Sequence, residues 1–155
     1  MITMQTTDVF IELHVDSFQK AIDFYKLLGF EVLYVLDTYM VMQRGKSFLN
    51  FYGGDERVFN QAYFKRFPKD TKRGYGMEVI IWVDSIEELK ALFEKIKDKV
   101  KVVEPLKLQR WGHWDFRIED PFGFYIRVGD RYDWINRDDF KAETPGNIEK
   151  KGLKI

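Results

Sequence analysis

Cysteine is absent from the 155-residue sequence, and histidine occurs only twice. Without cysteine there is no disulfide framework, no thiolate nucleophile and no Cys-based zinc site. Net charge is missing as well: 25 Lys and Arg balance 25 Asp and Glu, for a formal charge of +0. That balance sets up no long-range field to hold a polyanion, so nucleic acid is not an expected partner. No apolar run approaches the roughly 20 residues of a membrane span, and the polar stretch Met1–Asp8 has no signal-peptide core. A cytoplasmic location with no membrane partner is the resulting expectation. Nor is a phosphate loop present, because Gly53-Gly54 and Gly74-Tyr75-Gly76 lack the partners such a loop requires. No Ser/His/Asp arrangement is recognisable.

What the chain does contain is apolar and aromatic. Hydrophobic residues make up 45% of it, enough for the core of one domain. Fourteen Phe, eight Tyr and four Trp are more rings than a small domain readily buries, so some are expected to line a cavity or a subunit interface.

Two stretches repeat the same order of elements. Val9–Val15 alternates, with Val9, Ile11, Leu13 and Val15 on one face and Phe10, Glu12 and His14 on the other, as a strand does. Asp16 then stands before a helical pattern with Gln19 three residues on, close to a capping box. Phe18, Ala21, Ile22, Tyr25 and Leu28 give this helix its apolar face, and Gly29 suits the left-handed position that ends it. Strands are expected at 30–36, 39–44 and 47–52. The second copy opens with the strand Glu78–Val83, continues with a cap at Asp84 followed by Glu87, and places Ile86, Leu89, Leu92, Phe93 and Ile96 on a helix face. Strands are expected at 101–104, 114–119 and 124–128, the last two joined by an Asp120-Pro121-Phe122-Gly123 turn. Val15-Asp16-Ser17 therefore corresponds to Val83-Asp84-Ser85, an offset of 68 residues.

The fold class expected is α+β: two βαβββ modules related by pseudo-twofold symmetry, forming a curved mixed sheet around a cavity. Module one spans 8–55 and module two 77–130 of a domain covering 1–130, with 131–155 as a C-terminal extension. The basic connection 56–76 reads as a solvated linker with a helical turn around Gln61–Phe67, a functional lid being the alternative. In the extension, Trp134, Ile135 and Phe140 are expected to pack on the domain, with fraying beyond Thr144-Pro145-Gly146.

Ala21-Ile22-Asp23-Phe24-Tyr25 followed by Leu28-Gly29-Phe30 resembles the AxxFYxxLGF signature of the vicinal oxygen chelate (glyoxalase/bleomycin resistance/dioxygenase) superfamily. Trp111-Gly112, Phe116 and Glu119-Asp120-Pro121-Phe122-Gly123 resemble the end of the second module in bleomycin-resistance proteins. The resemblance implies that enzymes of this kind take metal ligands from the first and last strand of each module. Those positions here are Phe10, Asn50, Glu78 and Arg127. A phenyl ring cannot ligate and a guanidinium repels a divalent ion, so no metal and no other cofactor is expected at that set. A relocated site built on Glu12, His14 and Glu78 is the alternative.

Alternation turns Phe10, Glu12 and His14, Phe48, Asn50 and Tyr52, Glu78, Ile80 and Trp82, and Tyr125 and Arg127 toward the enclosed space, with Trp111 and Trp114 at the rim. Such rings can stack on a planar ligand or a cation, and Arg127 can either grip an anion or pair with Glu78. The expectation is a protein that binds a small aromatic or charged molecule without metal and without a catalytic residue, closest to the bleomycin-resistance branch. The alternative is an enzyme of the same superfamily, of lyase, dioxygenase or isomerase type, with a relocated metal or acid–base site. Resemblance also implies a homodimer.

Overall fold

The computed structural model describes residues 9–132 and 137–155. The first module runs β1 (Glu12–Val15), α1 (Phe18–Leu27), β2 (Glu31–Val35), β3 (Tyr39–Arg44) and β4 (Ser47–Gly53). The second runs β5 (Glu78–Val83), α2 (Ile86–Ile96), β6 (Lys101–Leu108), β7 (Trp114–Glu119) and β8 (Tyr125–Asp130). Their strands form two four-stranded sheets of identical topology, ordered β1-β4-β3-β2 and β5-β8-β7-β6. In each, the first strand runs parallel to the last, and the other pairs are antiparallel.

Registers agree as well as orders. Glu12 pairs with Asn50 in the first module, and Ile80, 68 positions after Glu12, pairs with Arg127 in the second. A one-residue slip would have reversed every face of one sheet, so this match fixes which side chains are equivalent.

Local chemistry accounts for the boundaries. Both helices are capped one residue later than the sequence pattern suggested, by Ser17 and Ser85 in place of Asp16 and Asp84. Each serine is extended, and its hydroxyl accepts from the backbone N–H three residues on, at 3.2 Å from Lys20 and 3.1 Å from Glu88. Helix α1 ends in a Schellman motif. Gly29, at φ +85°, donates to Lys26 O and Phe30 donates to Tyr25 O, both at 3.1 Å. Strand β6 continues through Pro105 to Leu108, whereas the sequence reading stopped it before the proline. It is an edge strand with irregular register there, so the missing N–H breaks no interior ladder. Strand β1 is shorter than expected, because the Asn50 side-chain amide takes the Ile11 carbonyl at 3.3 Å.

One core serves both modules. Leu13, Val15, Tyr25, Met40, Met42 and Phe51 from the first join Ile81, Val83, Leu89, Phe116, Ile118, Ile126 and Val128 from the second. These are the strand faces opposite the predicted cavity residues, covered by α1 and α2. Two polar contacts tie the halves. The Tyr25 hydroxyl donates to Asp120 Oδ2 at 2.9 Å in a buried setting, and Arg44 Nη1 donates to the Trp82 carbonyl at 2.8 Å.

The C-terminal extension departs from its expected fraying. Residues Asp138–Lys151 form a third helix, α3, with Pro145 inside it and no buried residue. Asp138 and Asp139 stand at its positive end and Lys150 and Lys151 at its negative end, and Gly152 at φ +63° closes it. Phe140 is exposed, so it does not pack on the domain. Trp134 and Ile135 lie outside the described residues.

Tyr25→Phe removes the only side-chain donor that meets Asp120 Oδ2 among the described residues. The buried carboxylate oxygen is then left unpaired, and the variant is expected to lose about 1–3 kcal/mol in urea unfolding. A loss indistinguishable from zero would show that this cross-module contact does not hold the halves together.

Candidate functional site

The connection between the modules is mostly exposed, as a solvated linker is, and the helical turn expected around Gln61–Phe67 is present at Phe64–Arg66. It folds into two 3-10 turns, Glu56–Asn60 and Phe64–Arg66, and lies along β1. At its start, Asp55 accepts from Arg57 N, and the fully buried Val58 seals the turn beside Gly53. At its end, Gly74 (φ +73°) passes so close to Phe124 that a Cβ there would stand 2.4 Å from the ring. The chain is thereby held at both ends.

Between this segment and β1 is a pocket of about 500 Å³, within the range of small-molecule sites. Phe59, Tyr63, Phe64 and Phe67 line it from the connection, and Glu12 and His14 line it from β1. The His14 ring is held between Tyr52 and Phe64, with centroids 4.9 and 4.8 Å away. Its Nε2 lies 3.0 Å from Glu12 Oε1, while its buried Nδ1 has no hydrogen-bond partner. Burial lowers the His14 pKa from its ordinary value. Glu12 opposes that shift, and the Arg73 charge adds to it. Burial likewise raises the Tyr39 hydroxyl, which also bonds Glu12. The lowered value favours the neutral imidazole, whose Nε2 can donate to Glu12 Oε1.

The remaining sequence-derived candidates are distributed over other surfaces. Phe10 is 54% exposed just before β1. Asn50 is buried and committed to Ile11. Phe48, Ile80 and Trp82 line a separate cleft of about 770 Å³ together with Arg44 and Arg131. Trp82 meets Tyr132 edge-on at 5.2 Å, and Tyr132 stacks on His113 at 3.8 Å. Glu78 and Tyr125 border a third opening of about 540 Å³. Trp111 is exposed, and Trp114 sits under the Lys90 ammonium of α2. Residues expected to share a single aromatic cavity therefore line three separate openings.

Arg127 and Glu78 meet as a salt bridge, Nη2 to Oε2 at 2.7 Å, both side chains mostly buried. Next to it Arg117 reaches the Tyr125 hydroxyl at 3.1 Å and Glu104 at 3.2 Å. At the four positions where the sequence resemblance implies metal ligands, this chain has a ring, an amide bonded to a carbonyl, and an ion pair. That donor set does not fit a divalent metal. The relocated set also fails to assemble: Glu12 and His14 meet each other while Glu78 is held by Arg127. Among the described residues no three His, Asp or Glu come together as a metal site.

Sequence reasoning missed Phe59, Tyr63, Phe64, Phe67 and Arg73. A signal was present, since a connection meant only to be solvated has no use for so many closely spaced rings. The basic residues between them drew the reading toward solvent.

Comparison places these observations among known folds. A family model described as the Glyoxalase/Bleomycin resistance protein/Dioxygenase superfamily matches residues 9–128. Similar solved structures include a protein of unknown function from Agrobacterium tumefaciens str. C58, at 22% identity over 82% of this chain and 95% of that one, with TM-score 0.65. A lactoylglutathione lyase from Agrobacterium tumefaciens is 17% identical over 81% of this chain and 95% of its own, with TM-score 0.59. A bleomycin-binding protein complexed with bleomycin is 19% identical over 82% of this chain and 100% of its own, with TM-score 0.52. At such identities the likeness is one of fold. No functionally curated protein matches the sequence.

The Glu78–Arg127 bridge is open to a direct test. Removing one partner of a fully buried pair costs about 3–5 kcal/mol. With the side chains 19% and 27% exposed, the cost of Arg127→Met should fall below that range. Glu78→Gln combined with Arg127→Met is expected to recover part of the loss in urea unfolding. Strictly additive losses would show that the two do not interact.

Proposed function

Because the chain belongs to the glyoxalase/bleomycin resistance protein/dioxygenase superfamily, we propose that it binds a small, aromatic molecule in the pocket between β1 and the inter-module connection, without a metal. The observation that carries this reading is the ring lining of that pocket, Phe59, Tyr63, Phe64 and Phe67 facing His14. Largely apolar walls with a few polar groups are what a small-molecule site requires: the walls supply the driving force and the polar groups set orientation. A relative of the same fold is a bleomycin-binding protein, which is consistent with a binding role. The protein acts in the cytoplasm in this reading.

A homodimer is part of the proposal. Strand β2, at the edge of the first sheet, exposes Val32, Tyr34 and Val35, and Leu36 follows it. An exposed apolar edge strand invites pairing. The equivalent edge of the second sheet, β6, carries Lys101, Pro105 and Lys107, which make it a poorer template for pairing.

A second reading has its own observation, His14 held by Glu12 on the pocket wall with its pKa lowered. A neutral imidazole fixed by a carboxylate is the form a general base takes, so an enzyme of the same superfamily working by acid–base chemistry is the alternative. It requires that a bound ligand emerge chemically changed.

Native mass spectrometry on protein purified without chelators tests the first reading. The expected result is a dimer that retains a small organic molecule, with far less than one metal per chain. Near-stoichiometric zinc, nickel, iron or manganese would overturn the metal-free reading. Tyr34→Lys with Val35→Lys is expected to shift the dimer to monomer, and an unchanged dimer would move the interface away from β2. Recovery of the retained molecule with an altered mass after incubation, abolished by His14→Gln, would decide for the enzyme.

A further inference from the structure

The pocket carries a charge that no carboxylate among the described residues pairs with. Arg73 lines it and stands half-buried, with its guanidinium 5.3 Å from the Phe59 ring. Among the described residues no carboxylate comes within ion-pair distance of it, and Asp16 is the acid whose charge it feels. Burial lowers its pKa from the ordinary guanidinium value, although an arginine stays charged in any case. The neighbouring cations are all committed. Lys69 pairs with Glu56 at 3.1 Å, Lys72 with Glu119, and Arg66 bonds the Tyr63 carbonyl at 2.9 Å.

The same contacts argue against a cationic ligand. The ring of Tyr63 already carries Arg66 at 4.4 Å, and that of Phe59 carries Lys69 and Arg73, each at 5.3 Å. Ring faces already occupied by the protein's own cations have little left to offer another, and Arg73 would repel it. Among the described residues Glu12 is the one acid on the wall, and it is engaged by His14 at 3.0 Å. The sequence had offered Arg127 as the anion grip, but Arg127 is spent on Glu78.

Resting on the binding reading above, we propose that the ligand is an aromatic carboxylate of one or two rings, its acid group on Arg73 and its rings among Phe59, Tyr63, Phe64 and Phe67. A planar guanidinium matches a carboxylate with two parallel hydrogen bonds, which a neutral amide of the same shape cannot reproduce. A pocket of about 500 Å³ takes a molecule of this size.

The test uses three probes of one shape on the full-length protein by isothermal titration calorimetry: 2-naphthoate, 2-naphthamide and 2-naphthylmethylamine. The expected order is naphthoate at least about tenfold tighter than naphthamide, with the amine weakest; tenfold corresponds to about 1.4 kcal/mol. Arg73→Gln should bring naphthoate down to the amide's affinity and leave the amide where it was, and Arg73→Lys should restore part of the difference. Equal binding of acid and amide, or an amine that binds most tightly, would overturn the anion assignment while leaving the aromatic pocket in place. Naphthoate selectivity that survives Arg73→Gln would place the anion grip elsewhere and overturn the assignment to this residue. Failure of all three probes to bind would remove both this inference and the binding reading beneath it.

Discussion

Tyr25 and Asp120 hold this fold together where its two halves meet. Asp120 organises the β7–β8 turn, its Oδ1 accepting from Phe122 N at 2.9 Å and Phe124 N at 2.8 Å. Its Oδ2 takes the hydroxyl of Tyr25, from the last turn of α1 in the other module. Burial pushes the Asp120 carboxyl up from the usual carboxylate range, and the hydrogen bonds from Phe124 N, the Tyr25 hydroxyl, Phe122 N and Gly123 N pull the other way. The Tyr25 hydroxyl is raised well above its ordinary value by the same burial and by the carboxylate beside it. One turn thus meets the helix of the other module, and Phe124, the residue after that turn, is the surface over which Gly74 brings the connection back. The pocket wall therefore depends on the same few atoms that join the sheets.

The parts of the fold legible in the sequence were those governed by periodicity and backbone chemistry. The 68-residue repeat, the faces of β1, β4, β5 and β8 and the glycine after α1 are all local patterns, and each appears in the structure. The motif pair that marked the resemblance turns out to have a physical meaning, since Tyr25 comes from one motif and Asp120 from the other. Misreadings arose where a local rule met tertiary context. Pro105 looked like a strand end but sits on an edge where its missing N–H costs little. Pro145 looked like the start of a frayed tail but is carried inside α3, between ends whose charges oppose the helix dipole.

The candidate site was legible only in half. Alternation placed Glu12 and His14 correctly on one face of β1, and it brought Glu78 to Arg127. It could not show that the candidates line separate openings, because module packing is set by long-range contacts that no local period encodes. Nor could it show that the connection folds down onto β1. The equivalence of the modules is also uneven in chemistry. Around Glu78 and Arg127 the second sheet carries an ion-paired, polar face, whereas around His14 the first sheet carries rings. The two modules share one backbone plan but differ in chemistry, one face ion-paired and the other ring-lined.

The central claim is that ligand binds between β1 and the connection, and not in the cleft beside Trp82 or against Arg127. A crystal structure of the protein soaked with 2-naphthoate tests it most directly. The account expects the naphthalene ring against Phe64 and Phe67 with the carboxylate on Arg73. Naphthoate seated in the cleft lined by Phe48 and Trp82, or bound to Arg127 with the Glu78 bridge broken, would contradict it.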